Sequence, residues 1–160
     1  MIKKAFLKYC KNCFWFFIPV IIFNIIFTKY LPENYLQNVS HVVVLLESIT
    51  RISLIILSLV LQINTNNLLG KAGIKIYIIG LLIYFLSYYV IIKYSNTIFG
   101  QNMIVQLSGY WTSVLWLIGI GLIGNKIFLK IPYKWILYIL ISILFGIMHT
   151  YHGYILLTKL

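Results

Sequence analysis

The sequence predicts an all-α fold: a polytopic membrane bundle of five transmembrane helices, N-terminus inside and C-terminus outside. Three observations predict it. Hydrophobic residues fill 62% of the 160 positions and charged residues only 9%, whereas a soluble domain carries about 25% charged residues. So few charges cannot cover a globule in water. Five apolar runs stand out, each near the ~20 residues that a helical span requires. The lysines, finally, gather between those runs and mostly on one side.

The runs cover residues 14–31, 41–63, 74–92, 110–128 and 135–157. They are too long and too uniformly apolar for the alternating strands of a transmembrane barrel. The whole chain, 1–160, reads as a single integral membrane domain with almost no soluble portion.

The first run follows Lys3, Lys4, Lys8 and Lys11, as the apolar core of a signal peptide does. The stretch after it, T-K-Y-L-P-E-N, offers no small-residue cleavage site, so the run is expected to stay as an uncleaved anchor. Pro19 is expected to bend it near one end. With the N-terminus inside, the inner segments hold Lys3, Lys4, Lys8, Lys11, Lys71, Lys75, Lys126, Lys130 and Lys134. The outer segments hold Lys29, Lys93 and Lys159. That asymmetry follows the positive-inside rule and fixes the orientation. The expected location is a cell membrane, inner or plasma, of bacterial character.

Net charge is +11, but the basic residues do not cluster on one face as a nucleic-acid footprint requires. Nucleic acid is therefore not an expected partner. Aspartate is absent, which removes aspartyl intramembrane proteolysis and multi-aspartate metal sites. The H-E-x-x-H, G-x-S-x-G and P-loop motifs are absent as well. Cys10 and Cys13 have C-x-x-C spacing, but no other cysteine exists and every histidine falls on the opposite side. They are read as two juxtamembrane thiols. The N-V-S sequon at Asn38 abuts the second run and is discounted.

The outer connection between the third and fourth runs includes Gln101 to Ser108, with apolar residues at Met103, Ile104 and Leu107. That spacing suits a short interfacial helix, and a loop lying on the headgroups is the plainer reading. Trp15, Trp111, Trp135, Tyr133 and Tyr151 fall near span ends as interfacial belts do. Trp116 lies deeper and is a candidate cavity residue.

Small residues mark the contact faces, because helices in lipid associate through close packing and polar contacts. Gly73, Gly80 and Ser87 share one stripe of the third run, beside Tyr77, Tyr84 and Tyr88. Gly109, Thr112, Ser113, Gly119, Gly121 and Gly124 mark the fourth run, and Ser142, Gly146, His149 and Gly153 one face of the fifth.

The second run carries the chemistry. It holds Glu47, one of two acids in the chain, and Arg51, its only arginine. At 100° per residue Ser40, Glu47, Arg51, Ser58 and Gln62 fall within roughly 60° of arc. Either charge alone would cost at least ~2.5 kcal/mol near the bilayer centre. At i and i+4, in the favourable order, they neutralise each other. Depth links this pair to the fifth run. Glu47 is expected roughly 9–10 Å below the outer end of its helix, His149 at about 12 Å and His152 nearer 8 Å. Tyr84 and Tyr88 fall in the same outer half.

The expected binding residues are therefore Glu47, Arg51, Tyr84, Tyr88, His149 and His152, lining a pocket that faces the outer leaflet. The deep cation is arginine, whose planar fork suits a carboxylate or phosphate. The function expected is binding, and moving, a polar-headed amphiphile or small solute. Two alternatives come from other classes. One is an accessory subunit whose polar stripe meets a membrane-protein partner or a second copy of this chain. The other is an embedded enzyme acting on a lipid or isoprenoid through Glu47 and His149. No metal and no cofactor are expected: the His149 and His152 spacing is weak as a ligand pair, and only His41 could oppose His149 as a haem ligand.

Overall fold

The computed structural model of the chain describes residues 11–27, 30, 40–129 and 132–158. Lys3, Lys4, Lys8, Cys10, Lys29, Asn38, Lys130 and Lys159, on which parts of the sequence reading rest, lie outside the described residues.

A 3-10 turn, Cys13–Phe17, leads into α1, Ile18–Phe27. Then come α2, His41–Val60, the short strand β1, Leu61–Gln62, and α3, Leu68–Lys93. The chain continues through α4, Met103–Trp111, α5, Ser113–Ile123, β2, Lys126–Ile127, and α6, Trp135–Thr158. The described residues are all-α apart from the antiparallel β1–β2 ladder, two residues long on each side, and a single bridge between Asn12 and Gln62.

Among the described residues, four helical stretches are long and apolar enough to cross a membrane: α2, α3, the combined α4–α5 and α6. The pattern of burial is the reverse of a soluble protein's. Ile25, Leu82 and Leu140 are 66%, 63% and 57% exposed, while Glu47 is 3% exposed and Ser58 and Ser142 are fully buried. Apolar side chains face outward and polar ones inward, as a bilayer solvent demands.

The predicted boundaries need correction at five places. The first run is predicted as helical over 14–31. Its described part is five residues of 3-10 and ten of α-helix, about 25 Å long. Pro19 is the second residue of α1, where its missing N–H has no partner to lose, so it opens the α-helix and does not bend one.

The second span stops at Val60 and not at Ile63, because Leu61 turns to extended backbone and pairs with Ile127. The same ladder ends the fourth span at Ile123 rather than Phe128. The third span begins six residues earlier than predicted, at Leu68, since the Asn67 side chain accepts from the Gly70 N–H at 2.8 Å and caps the helix.

The fifth correction concerns the outer connection. The stretch expected to lie on the headgroups is α4, which packs on α6 and α3 and runs on into α5. The two meet at Thr112, where the Thr112 hydroxyl donates to the Ser108 carbonyl and the Ser113 hydroxyl to the Tyr110 carbonyl, both at 2.6 Å. Such back-bonding competes with the helix ladder and breaks it at that turn.

Glycines let α3 and α5 approach backbone to backbone. A Cβ added to Gly119 would lie 2.5 Å from the Tyr77 nitrogen, and one on Gly80 would lie 2.6 Å from that of Trp116. The two predicted small-residue stripes therefore face each other, the close approach that small residues permit in lipid. From the same buried face of α3, the Tyr77 hydroxyl donates to the Phe16 carbonyl and the Tyr84 hydroxyl to Asn24 Oδ1, both at 2.8 Å. These bonds hold the first apolar segment against α3, and Phe23 packs between Phe85 and Tyr88.

One end of the bundle is tied by polar backbone contacts. The Ile63 N–H donates to the Lys11 carbonyl and the Asn64 N–H to that of Ile123, both at 3.1 Å. Asn125 links Asn64 and Asn67 through its amide. Lys11, Lys71 and Lys126 all belong to this end, whereas Lys93 closes α3 at the other.

Gly119→Leu should disrupt the α3–α5 contact by overpacking, at a cost of about 1–3 kcal/mol. The expected result is a lower thermal midpoint for the protein purified in detergent, with Leu82→Ala on the exposed face serving as the neutral comparison. Equal midpoints would mean that the two backbones do not touch.

Candidate functional site

Four buried residues, Glu47, Thr50, Leu54 and Ser58, define the inward face of α2. They recur at helical spacing, and Arg51 stands at the edge of that face. Ser40 is exposed and Gln62 has left the helix for β1, so the polar stripe is shorter than the sequence implied. Thr50 and Ser58 satisfy themselves on carbonyls one turn back. Of the four buried residues, Glu47 hydrogen-bonds across to another helix among the described residues.

Its partners are all donors. Glu47 Oε1 accepts from Arg51 Nη2 on the same helix and from His149 Nδ1 of α6 at 3.0 Å. Glu47 Oε2 accepts from His152 Nδ1 at 2.5 Å. An ionised carboxylate has no proton to give, so each facing ring nitrogen must carry the hydrogen. That fixes the Nδ1–H tautomer of both histidines and leaves Nε2 as the nitrogen with capacity for a further partner. The opposite charges of Glu47 and Arg51 then cancel.

The spacing on α6 explains the arrangement. Residues three apart differ by about 60° in direction, which lets two rings straddle the two oxygens of one carboxylate. The depth order inferred from the sequence puts Glu47 between the two histidines, and the structure joins it to both.

Arg51 is placed differently from its partner. Its side chain is 51% exposed and that of Glu47 only 5%. The guanidinium lies 5.7 Å from the centre of the Phe145 ring, a cation–π distance. His149 stacks on its aromatic neighbours: 5.0 Å from Phe145 and 4.8 Å from Tyr110, ring centre to ring centre.

Beside this cluster is a cavity of about 320 Å³. Every helix contributes to its wall, including Asn24 of α1, Arg51 of α2, Tyr84 and Tyr88 of α3, Tyr110 of α4, Trp116 of α5 and His149 of α6. Of the six residues expected to line a pocket, Arg51, Tyr84, Tyr88 and His149 do so. Glu47 and His152 do not. They stand behind the wall, because Glu47 is consumed by its three donors and His152 is turned onto it. Their place is to orient Arg51 and His149. Tyr84 also commits its hydroxyl to Asn24.

Sequence reasoning missed Asn24, Tyr110 and Phe145. Two carried signals: Asn24 is a lone amide inside an apolar run, and Phe145 lies four residues before His149 on the same helical face. Trp116, a candidate from its depth, lines the cavity with its indole N–H buried and unpartnered among the described residues.

Among the described residues no group of three or more His, Cys, Asp or Glu is arranged to hold a metal ion. Cys13 is fully buried in the core and Cys10 lies outside the described residues.

Glu47→Ala should leave two largely buried ring donors without their acceptor and the half-exposed Arg51 without its counter-charge, lowering stability by about 1–3 kcal/mol. Arg51→Ala alone strands the carboxylate, so adding Glu47→Gln to it should recover part of the loss. Thermal unfolding of the three variants in detergent checks both statements. A double variant no more stable than Arg51→Ala would show that the two side chains do not meet.

No protein-family model matches this chain, and no curated protein or solved structure matches it either.

Proposed function

We propose that this protein spans the membrane five times, N-terminus inside and C-terminus outside, and binds an amphiphile with an anionic or polar head in a cavity facing the outer half of the bilayer. The observation that carries the reading is the cavity wall, which is aromatic and aliphatic except at a few points and has the fork of Arg51 at its edge. An apolar space with few convergent polar groups is the usual form of a small-molecule site, and about 320 Å³ lies at the lower end of the usual size range. That volume suits one alkyl chain with its head group.

Arg51 would hold the anionic group through the donors that Glu47 does not use. Glu47 fixes the guanidinium in place, and His149 completes the polar edge. Movement of the amphiphile between leaflets would use the same head-group site. The orientation rests on the lysine asymmetry, and the grouping of Lys11, Lys71 and Lys126 at one end of the bundle supports it. The membrane is taken to be a bacterial cell membrane on sequence character alone.

A second reading has one contact in its favour. Glu47 orients His149 as a carboxylate orients a general base, so an embedded enzyme acting on a lipid or isoprenoid would use the same cavity with water as nucleophile. The accessory-subunit reading needs Glu47 at a subunit contact, and that side chain is turned inward onto α6.

Protein extracted with its native lipid should carry an anionic or polar-headed amphiphile, identified by mass spectrometry. Arg51→Gln should lower its occupancy about tenfold or more, the loss of one charge-assisted contact. Equal occupancy in both proteins would contradict the binding role of Arg51, and a chemically altered amphiphile would favour the enzyme. Cysteine labelling should place residues 64–67 and 125–134 inside, with 94–102 and the C-terminus outside. A C-terminus on the inner side would remove the five-span arrangement.

A further inference from the structure

The same cavity, taken as an amphiphile site, has a charge to balance. Its titratable neighbours can be taken element by element around His149. From α2 come Glu47 and Arg51, from α6 itself His152, from α4 Tyr110, and from α3 Tyr84 and Tyr88 across the cavity. From α1 and α5 come Asn24, Ser113 and Trp116, none of which titrates near neutrality. With both histidines neutral, Glu47 and Arg51 cancel and the site carries no net charge. An anionic head group would therefore enter an uncharged, mostly apolar cavity and leave it at minus one. A net charge in a low-dielectric site is strongly disfavoured.

One group can restore the balance. His149 lines the cavity with 20% of its side chain exposed, and its Nδ1 is already committed to Glu47. A proton added at Nε2 makes an N–H whose acceptor is the incoming anion. His152 is not equivalent. Its Nε2 is buried without a partner among the described residues, so a proton there would create a buried donor with nothing to bond. Glu47 is also unsuited, because it stands behind the cavity wall, where a proton on it would offer no donor to the incoming anion.

We infer that binding of a singly charged anionic amphiphile in this cavity takes up one proton, held at Nε2 of His149, so that ligand and proton enter together without net charge. This coupling rests on the amphiphile-binding reading of the cavity. The balance is simple: one anion and one proton leave solution, one N–H bond forms on His149, and no other bond changes. Histidine is suited to the task because its charge changes within the ordinary pH range.

The test uses the full chain in lipid nanodiscs and decanesulfonate as probe, an anion that does not titrate itself. Isothermal titration between about pH 5 and 8, in buffers of different ionisation heat, reads both affinity and protons taken up. The expected result is one proton per decanesulfonate, with binding tightening about tenfold for each pH unit of acidification above the histidine's own titration. Decanol should bind without proton uptake. His149→Asn keeps a donor towards Glu47 but has no titrating nitrogen, so it should lose the uptake, while His152→Asn should keep it. Methanesulfonate separates sources: weaker binding than decanesulfonate points to an amphiphile, and equal binding with the same uptake points to a small free anion under the same coupling. Decanesulfonate binding with no proton uptake, or uptake that persists in His149→Asn, overturns the coupling alone. No binding at any pH removes the amphiphile reading and the coupling with it.

Discussion

The carboxylate of Glu47 is the constraint on which the arrangement of the functional half depends. An ionised acid buried between helices is tolerated only where its neighbours supply donors. Arg51 supplies one from the same helix, and His149 and His152 supply two from α6. Satisfying both oxygens fixes the depth and rotation of α6 against α2. It also fixes both imidazole tautomers and holds the guanidinium at the rim of the cavity. The bonds are cooperative in purpose: each donor has little reason to occupy its position without the acid.

The other half of the bundle is built by a different force. There α3 and α5 meet through glycines, with Tyr77 and Trp116 lying against the opposing backbone, and the first apolar segment is held on α3 by Tyr77 and Tyr84. Packing of small residues draws one pair of helices together and a buried ionic cluster joins the other. The cavity has walls from both. Aromatic rings supply most of that wall, and they give it an apolar body with a few polar tips. That wall is what the amphiphile reading proposed above rests on.

Legibility in the sequence followed the same physics. Glu47, Arg51, His149 and His152 could be read because charge inside a span must be paired, and because rise per residue converts position into depth. The α3–α5 contact was visible as two small-residue stripes. What could not be read were the features set by tertiary contact. The β1–β2 ladder forms only because the ends of α2 and α5 are neighbours, and no local signal at Leu61 or Lys126 declares it. The α4–α5 break follows from hydroxyls at Thr112 and Ser113 turning back on their own helix, a choice that a small-residue stripe does not reveal. Arc position on a helix likewise shows which side chains point inward, not which of them stand in the wall and which behind it. On arc position alone Glu47 and His152 belong to the lining, whereas both stand one layer back.

Everything in the functional half depends on both histidines donating to Glu47 through Nδ1. Nitrogen NMR of histidine-labelled protein in bilayers, at mildly alkaline pH, measures this directly, with His149→Asn and His152→Asn assigning the signals. The predicted result is hydrogen on Nδ1 of both residues, with Nε2 bare. Signals showing a bare Nδ1 in either ring would contradict it, since that nitrogen could then give nothing to the carboxylate.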